Sequence, residues 1–194
     1  MPSPPASKRL VGCGSKMTTV ETERLLLRPW CEADFDRLVG LYSNVEVMRF
    51  ISGGVPLDRP RVEAMLDRVM GLWRERGFGP WAAIDKASGA WLGEIGLNEI
   101  PDWPEADKIE VGWELDPAWW GRGLAPEGGR AALEFGFGVH RLPRIISVTR
   151  PDNAKSRRVM EKLGMTCQGE RPFRGAPAAV WYALDRETWL NSTA

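Results

Sequence analysis

The strongest constraint on the fold of this chain is a strand-like segment that leads through a glycine-rich turn into a helix. Across Lys108–Leu115, apolar and polar residues alternate, which is the pattern of a β-strand with one buried face. The turn contains Gly121-Arg122-Gly123, and a helix is predicted from about Pro126 to Gly138. Glycine tolerates positive φ and lets the backbone approach a ligand closely. The segment therefore predicts a strand–turn–helix unit whose turn can present its backbone to a ligand.

The chemistry of this turn suits an anion. N–H groups at the start of a helix have no partner within the helix and carry a partial positive charge, so they suit a pyrophosphate. A plain tight turn between a strand and a helix explains the glycines equally well, and the pattern alone does not separate the two interpretations. Two common phosphate-binding motifs are absent: Pro126 occupies the third glycine position of GxGxxG, and no GKS or GKT follows as in Walker A.

Predicted helices and strands are interleaved along the chain in the order β-α-α-β-β-β-α-β-α-β-β. The strands are expected at Arg24–Arg28, Trp81–Asp85, Trp91–Asn98, Lys108–Leu115, Arg144–Thr149, Met165–Glu170 and Ala179–Leu184, and the helices at Glu32–Asn44, from Asp58 to Gly77, at Pro126–Gly138 and from Asn153 to Gly164. We therefore expect an α/β (α+β mixed sheet) fold with one largely antiparallel central sheet and helices on both faces. A doubly wound nucleotide-binding fold is disfavoured, because it needs parallel strands that alternate with helices throughout.

Length, charge and residue content narrow the class of protein. The chain has 194 residues, enough for one domain, and its 26 basic and 26 acidic side chains leave no net positive charge to hold nucleic acid. No apolar run reaches the ~18 residues that a membrane span requires, so we expect no membrane partner. His140 is the one histidine of the sequence, which excludes a multi-histidine site, and we expect no metal.

The N-terminal segment differs in composition from the rest. Its many Pro, Ser and Gly residues, without an apolar stretch long enough for a signal peptide, predict a disordered tail at 1–17 and a single domain at 18–194. Met17 precedes a predicted strand and is a candidate start. The three cysteines, Cys13, Cys31 and Cys167, form no close pair, which favours free thiols and a cytoplasmic protein.

Several segments of the chain resemble one enzyme family. Trp120-Gly-Arg-Gly-Leu-Ala125 resembles the [Q/R]-x-x-G-x-[G/A] signature of the GNAT superfamily of N-acetyltransferases. Other segments resemble its branch of RimJ and RimL ribosomal-protein acetyltransferases, namely Thr22–Pro29, Glu110–Trp113, Trp119–Glu127, Asn153–Ser156, Glu161–Met165 and Tyr182–Trp189. The resemblance covers about Val20 to Leu190, and its motifs follow the predicted element order. It implies a GNAT-like fold whose central strands splay apart.

The resemblance implies acetyl-CoA as co-substrate, with its pyrophosphate on the amides of the turn. The residues implied to bind it are Leu115, Trp120, Gly121, Arg122, Gly123, Leu124, Ala125 and Asn153. Its pantetheine arm is implied to run like an added strand beside the strand that ends at Leu115. Pro126 stands where a Thr or Ser often offers a hydroxyl and an N–H to phosphate, and proline has neither. We therefore expect weaker pyrophosphate binding than in close relatives, or compensation by Arg122 or Lys155.

The resemblance also implies two catalytic residues. Attack of an amine on a thioester needs a base that takes the amine's proton, and Glu110 matches the family's glutamate before an Ile/Val-Gly pair. A contact to a cationic substrate and a solvated strand carboxylate remain alternatives for Glu110. Ser156 matches a position that can protonate the leaving sulfur, although a bound water could do the same and serine also favours the first turn of a helix. Glu114 shares the face of Glu110, closer to the pyrophosphate end.

The implied reaction is transfer of an acetyl group from acetyl-CoA to a primary amine by direct attack in a ternary complex. The acceptor stays open between a protein N-terminus and a small-molecule amine, and the assembly between a monomer and a homodimer. The competing interpretation is a non-catalytic acyl-CoA-binding sensor or partner domain, in which Glu110 and Ser156 would be dispensable.

Overall fold

The computed structural model describes residues 17–174 and 176–193, so the predicted tail lies, apart from Met17, outside the described residues. Eight strands form one sheet: β1 (Val20–Glu21), β2 (Leu25–Arg28), β3 (Pro80–Asp85), β4 (Trp91–Glu99), β5 (Ile109–Leu115), β6 (Arg144–Thr149), β7 (Thr166–Phe173) and β8 (Ala176–Asp185). The α-helices are α1 (Phe35–Ser43), α2 (Val45–Met48), α3 (Arg59–Arg76), α4 (Leu124–Glu134), α5 (Ala154–Lys162) and α6 (Arg186–Thr193).

The sheet opens at its centre. Its strand order is β1-β2-β3-β4-β5-β6-β8-β7, and each neighbouring pair is antiparallel except β5 and β6. These two strands are parallel and share a single residue pair, Glu110 with Ile146, whereas β4 and β5 pair continuously from Gly93–Leu115 to Glu99–Ile109. Beyond Glu110, therefore, β5 and β6 diverge and leave a gap in the sheet. The prediction of a mixed, largely antiparallel sheet is confirmed.

Helices cover both faces of the sheet. Side chains alternate along β4, so that neighbouring residues point to opposite faces. Ile95 packs under α4, where a Cβ placed on Gly128 would lie 2.5 Å from the Ile95 Cδ1 atom, so this position needs glycine. The preceding side chain, Glu94, points to the opposite face and accepts a hydrogen bond from Tyr42 of α1. The close approach of α4 thus fixes one face, and α1 and α3 cover the other.

The helix boundaries follow local signals with one shift. Asp58 caps α3 and Gly77 ends it with φ 74°, as predicted. Helix α4 begins at Leu124, two residues before the predicted start, because Gly123 takes the N-cap position with φ 78°. At its other end, α4 continues into a π-helical turn over Phe135–Val139. Strand β1 and helix α2 were not predicted, since two and four residues are too few to show a period. Helix α6 was also not predicted, because the predicted order ended on two strands. The described part of the chain contains no helix with the length and apolar content for a membrane crossing.

Candidate active site

A cleft of about 1140 Å³ opens where β5 and β6 diverge. It is lined by β5, the glycine-rich turn, the start of α4, β6, α5 and residues of α2. Nine of the predicted site residues line it, namely Glu110, Leu115, Trp120, Gly121, Gly123, Leu124, Ala125, Asn153 and Ser156. Arg122 is not among the lining residues of the described chain. The divergence of two strands thus brings segments from both halves of the sequence to one cavity.

The edge of β5 that faces the gap has free backbone groups. In an antiparallel ladder the residues of a strand bond alternately to one side and the other. The Ile100 N–H donates to the Lys108 carbonyl at 2.8 Å, so the even-numbered residues that follow on β5 bond to β4. The backbone groups of Trp113 therefore point toward β6, past the last shared pair. This edge can pair with an extended ligand in the manner of an added strand.

The turn after β5 is tied to the end of that strand. The Trp120 indole N–H donates to the Leu115 carbonyl at 2.7 Å, so this carbonyl is already occupied. Gly121 and Gly123 have φ values of 74° and 78°, which only glycine adopts without strain. Trp120, predicted to bind the cofactor, therefore holds the turn in place as well as lining the cleft.

Backbone amides of the turn are available to an anion. Among the hydrogen bonds of residues 17–174 and 176–193, none uses the N–H groups from Gly121 to Ala125. Pro126 is the third residue of α4 and removes one further amide from the set, as its chemistry requires. The remaining N–H groups lie at the positive end of the α4 dipole, and the residues that carry them, apart from Arg122, line the cleft.

Cations lie beside these amides. Lys155, Arg158 and Lys162 of α5 line the cleft, and the Lys155 ammonium lies 4.9 Å from the centroid of the Trp120 ring. The Arg122 guanidinium lies instead over the Trp119 ring, at 4.6 Å. Of the two side chains expected to compensate for Pro126, Lys155 therefore faces the cleft.

Glu127, in the first turn of α4, anchors the turn to the N-terminal strands. It accepts hydrogen bonds from the Arg24 backbone N–H at 2.8 Å, from Arg24 Nε at 2.6 Å and from the Thr22 hydroxyl. Arg24 also donates to the Arg122 carbonyl at 2.9 Å. Burial opposes ionisation of Glu127, but the bonds from Thr22 and Arg24 outweigh it and lower its pKa. Both segments carry motifs of the family resemblance, but no local pattern marks the link between them.

The start of α5 carries the second group of predicted residues. Asn153 caps the helix: its Oδ1 accepts from the Ser156 N–H at 3.2 Å, and its Nδ2 donates to the Thr149 hydroxyl at 2.9 Å. The oxygen and the nitrogen of the Asn153 side-chain amide thus both have partners within the protein. Asn153 therefore fixes the position of the start of α5 relative to the end of β6. The Ser156 hydroxyl lines the cleft and has no partner among the described residues.

Glu110 lies where the two strands part. Its Oε1 accepts a hydrogen bond from the Val148 N–H of β6 at 3.1 Å, across the start of the gap. Burial and, secondarily, the charge of Glu114 raise the pKa of Glu110 to about 8. Near neutral pH this carboxyl is thus poised between its acidic and basic forms.

A second pair of carboxyl groups lies deeper on the same face. Glu94 and Glu114 are direct partners across β4 and β5, and the Tyr42 hydroxyl donates to Glu94 Oε1 at 2.6 Å. Glu94 Oε2 is buried and receives no bond from an N–H or hydroxyl of the described residues, and the Glu114 carboxyl is its neighbour. Burial raises the pKa of Glu94 to about 7, and burial together with the Glu94 charge raises that of Glu114 well above its ordinary value. The sequence analysis placed Glu114 on this face but missed Glu94, whose pairing depends on register.

The structure also contains a smaller polar cavity of about 170 Å³. It is lined by Arg68 of α3, Asn98 and Glu99 at the end of β4, and Arg174 of the β7–β8 turn. Glu110 lines this cavity as well as the large cleft. The described residues contain no group of three or more His, Cys, Asp or Glu side chains suited to a metal ion.

Comparison with known proteins agrees with this architecture. The acetyltransferase (GNAT) domain family matches residues 24–166. The FsC-acetyl coenzyme A-N(2)-transacetylase of Aspergillus fumigatus is 28% identical over 184 residues, 89% of this chain and 78% of the relative. A crystal structure of an acetyltransferase from Agrobacterium tumefaciens has a TM-score of 0.76 at 29% identity, covering 92% of this chain and 99% of that one. The ribosomal-protein-S5-alanine acetyltransferase of Vibrio fischeri shares the fold, with a TM-score of 0.69 at 18% identity over 89% and 98% of the two chains. The chain therefore belongs to the GNAT acetyltransferase family, whose members transfer acetyl groups from acetyl-CoA.

Proposed function

We propose that this protein acetylates a primary amine, of a small molecule or of a protein N-terminus, by direct attack of the amine on acetyl-CoA in a ternary complex. The observation that carries the proposal is the position of Glu110. One carboxyl group faces both the cleft that suits the coenzyme and a separate polar cavity that suits an acceptor. A base in that position can take a proton from an amine held beside a thioester.

The coenzyme side of the proposal rests on the turn and the strand edge. The amides from Gly121 to Ala125, with Lys155 nearby, would hold the pyrophosphate. The free edge at Trp113 would align the pantetheine arm along β5 toward Glu110. The cleft volume and its mixed lining of amides, cations and tryptophans fit such a ligand.

The catalytic roles follow from the same geometry. Glu110, when ionised, takes the proton that the amine loses as its nitrogen bonds to the acetyl carbon. The Ser156 hydroxyl, which has no partner among the described residues, passes a proton to the sulfur as the carbon–sulfur bond breaks and takes one back from water, while Glu110 returns its proton to solvent. A water molecule can replace Ser156 in this step, so the larger contribution is assigned to Glu110.

The test combines binding with turnover. Calorimetric titration with acetyl-CoA measures the first half of the proposal, and thiol release with a panel of amines measures the second. Glu110→Gln is expected to lower kcat/KM about 100-fold or more at about pH 8.5. The matched control is Glu75→Gln, an exposed glutamate at the end of α3, which is expected to retain full activity.

The pH dependence separates a base from a substrate contact. The acceptor amine must itself lose a proton before it attacks, so the rates of both proteins fall at low pH for this reason alone. The informative quantity is therefore the ratio of the wild-type rate to the Glu110→Gln rate. With a pKa of about 8 for Glu110, this ratio is expected to rise with pH up to about 8 and then level off. A ratio independent of pH would exclude Glu110 as the base. Tight binding of acetyl-CoA without transfer to any amine would instead support the competing sensor interpretation.

A further inference from the structure

The small polar cavity beside Glu110 contains an arginine, Arg68, that forms no direct ion pair within the described residues. Arg174 forms a two-bond ion pair with Asp102, at 2.9 and 2.6 Å. The carboxylate of Glu99 is held by Arg76 at 3.1 Å. Arg68, by contrast, donates only to the neutral Asn98 Oδ1, at 2.8 Å, and forms no ion pair within the described chain.

Arg68 has donors to spare. A guanidinium carries five N–H donors in a planar fork that matches a carboxylate, and charge-assisted bonds of this kind are stronger than bonds to neutral groups. Its single bond to Asn98 fixes the direction of the side chain while leaving other donors for a ligand. The cavity volume of about 170 Å³ far exceeds the roughly 10–15 Å³ that one water needs, so it can admit a polar group of several atoms.

The two groups that define this cavity have complementary roles. Glu110 can receive an amine, and Arg68 lies on a different wall of the same space. We infer that the acceptor is an amine that carries a carboxylate close to its nitrogen, as in a free α-amino acid, with the amine at Glu110 and the carboxylate at Arg68. This inference rests on the proposed function and selects, between its two acceptor classes, the small molecule.

A peptide N-terminus fits the cavity less well. The group that follows its α-carbon is a neutral amide, which cannot form an ion pair with the Arg68 guanidinium. A free amino acid carries a carboxylate on that carbon, and this carboxylate can form the pair. The effect of the carboxylate can be measured directly, because the primary amide of an amino acid has, like a peptide, a neutral amide group on the α-carbon.

The experiment compares a series of α-amino acids, each against its own primary amide, as acceptors for acetyl-CoA. The amide has the less basic amine, so more of it is neutral at a given pH, and a preference for the acid runs against that bias. Wild-type protein is expected to show kcat/KM at least tenfold higher for its best acid than for the matching amide. Arg68→Gln is expected to lower that ratio to near one, with Arg68→Lys between the two.

Two further measurements make the outcome specific. Arg74→Gln, an exposed arginine of the same helix that lines neither cavity, is expected to keep the wild-type ratio. Acetyl-CoA affinity by calorimetry is expected to be equal in wild type and Arg68→Gln, because Arg68 does not line the large cleft. If no amino acid exceeds its amide, or if the ratio survives Arg68→Gln, the inference is wrong. Acetylation of amides alone would then point to protein N-termini and leave the proposed function intact, whereas the loss of all acetyl-CoA binding would overturn both.

Discussion

Replacing Glu94 by glutamine is expected to change how the stability of the protein depends on pH. Glu94 is 6% exposed and contacts the Tyr42 hydroxyl, with Glu114 opposite. Glutamine has the same shape, can accept the same bond from Tyr42, and can donate its amide to Glu114. It cannot ionise, so the variant removes the Glu94 charge and, with it, one of the causes that raise the pKa of Glu114.

The size of the effect follows from the pKa of Glu94. Burial raises that pKa from 4.5 to about 7, which corresponds to about 3 kcal/mol at about 1.4 kcal/mol per pH unit. Between about pH 4.5 and 7 the folded protein retains a proton that the unfolded chain releases, so the free energy of unfolding falls as pH rises. This stabilisation is complete below about pH 4.5 and is lost as pH rises through about 7. The variant does not lose this stabilisation as pH rises. Its free energy of unfolding, plotted against pH, should therefore diverge from that of wild type by about 3 kcal/mol.

The assay is thermal or urea unfolding, followed by circular dichroism, at several pH values from about 5 to 8. For a chain of this size about 3 kcal/mol equals about 6–12 °C in Tm, and the variant is expected to gain this much on wild type as pH rises. The control is Glu63→Gln, an exposed carboxylate on α3, which should track the wild type. Parallel curves for wild type and Glu94→Gln would refute the assignment of a buried, proton-retaining carboxyl pair.

Three further predictions concern the glycine-rich turn. Gly123→Val forces a β-branched residue to φ 78°, at a cost of about 1–3 kcal/mol, and is expected to weaken acetyl-CoA binding at least tenfold by calorimetry. Trp120→Phe removes the bond to the Leu115 carbonyl and is expected to cost about 1 kcal/mol of stability in urea unfolding, with a few-fold loss of acetyl-CoA affinity. Glu127→Gln weakens the link to Arg24 and is expected to cost about 1 kcal/mol and to loosen coenzyme binding by a similar few-fold factor.

Matched controls are available for two of these variants. Gly40→Val places the same side chain in open space on α1, without a positive φ. Trp119→Phe removes an indole N–H that has no hydrogen-bond partner among the described residues while keeping a ring under Arg122. Equal losses of affinity in variant and control would mean that the conformation of the turn does not govern coenzyme binding.

The sequence could predict what depends on short-range pattern. The alternation in Ile109–Leu115 identified β5, and the caps at Asp58 and Asn153 located the starts of two helices. These signals lie within a few residues of the feature that they specify. The family resemblance then supplied what short-range pattern cannot, namely the gap between β5 and β6.

The remaining features depend on residues that are distant in the sequence. The bond between Arg24 and Glu127 spans 103 positions, and nothing local to either residue marks it. Glu94 and Glu114 face each other only because of the β4–β5 register, which a one-residue slip would destroy. That Arg68 lacks a direct ion pair depends on which carboxylates Arg76 and Arg174 bind, and these partners come from other strands and loops.

The link between Glu127 and the N-terminal strands couples two distant parts of the chain energetically. A ligand that requires the ordered turn also favours the docked state of β1 and β2, since Arg24 bridges the two. Coenzyme binding is therefore expected to slow amide hydrogen exchange at Val20–Arg28, in strands that do not line the cleft. Equally, a tag or truncation that disturbs Thr22 would reduce the apparent affinity of an otherwise intact site.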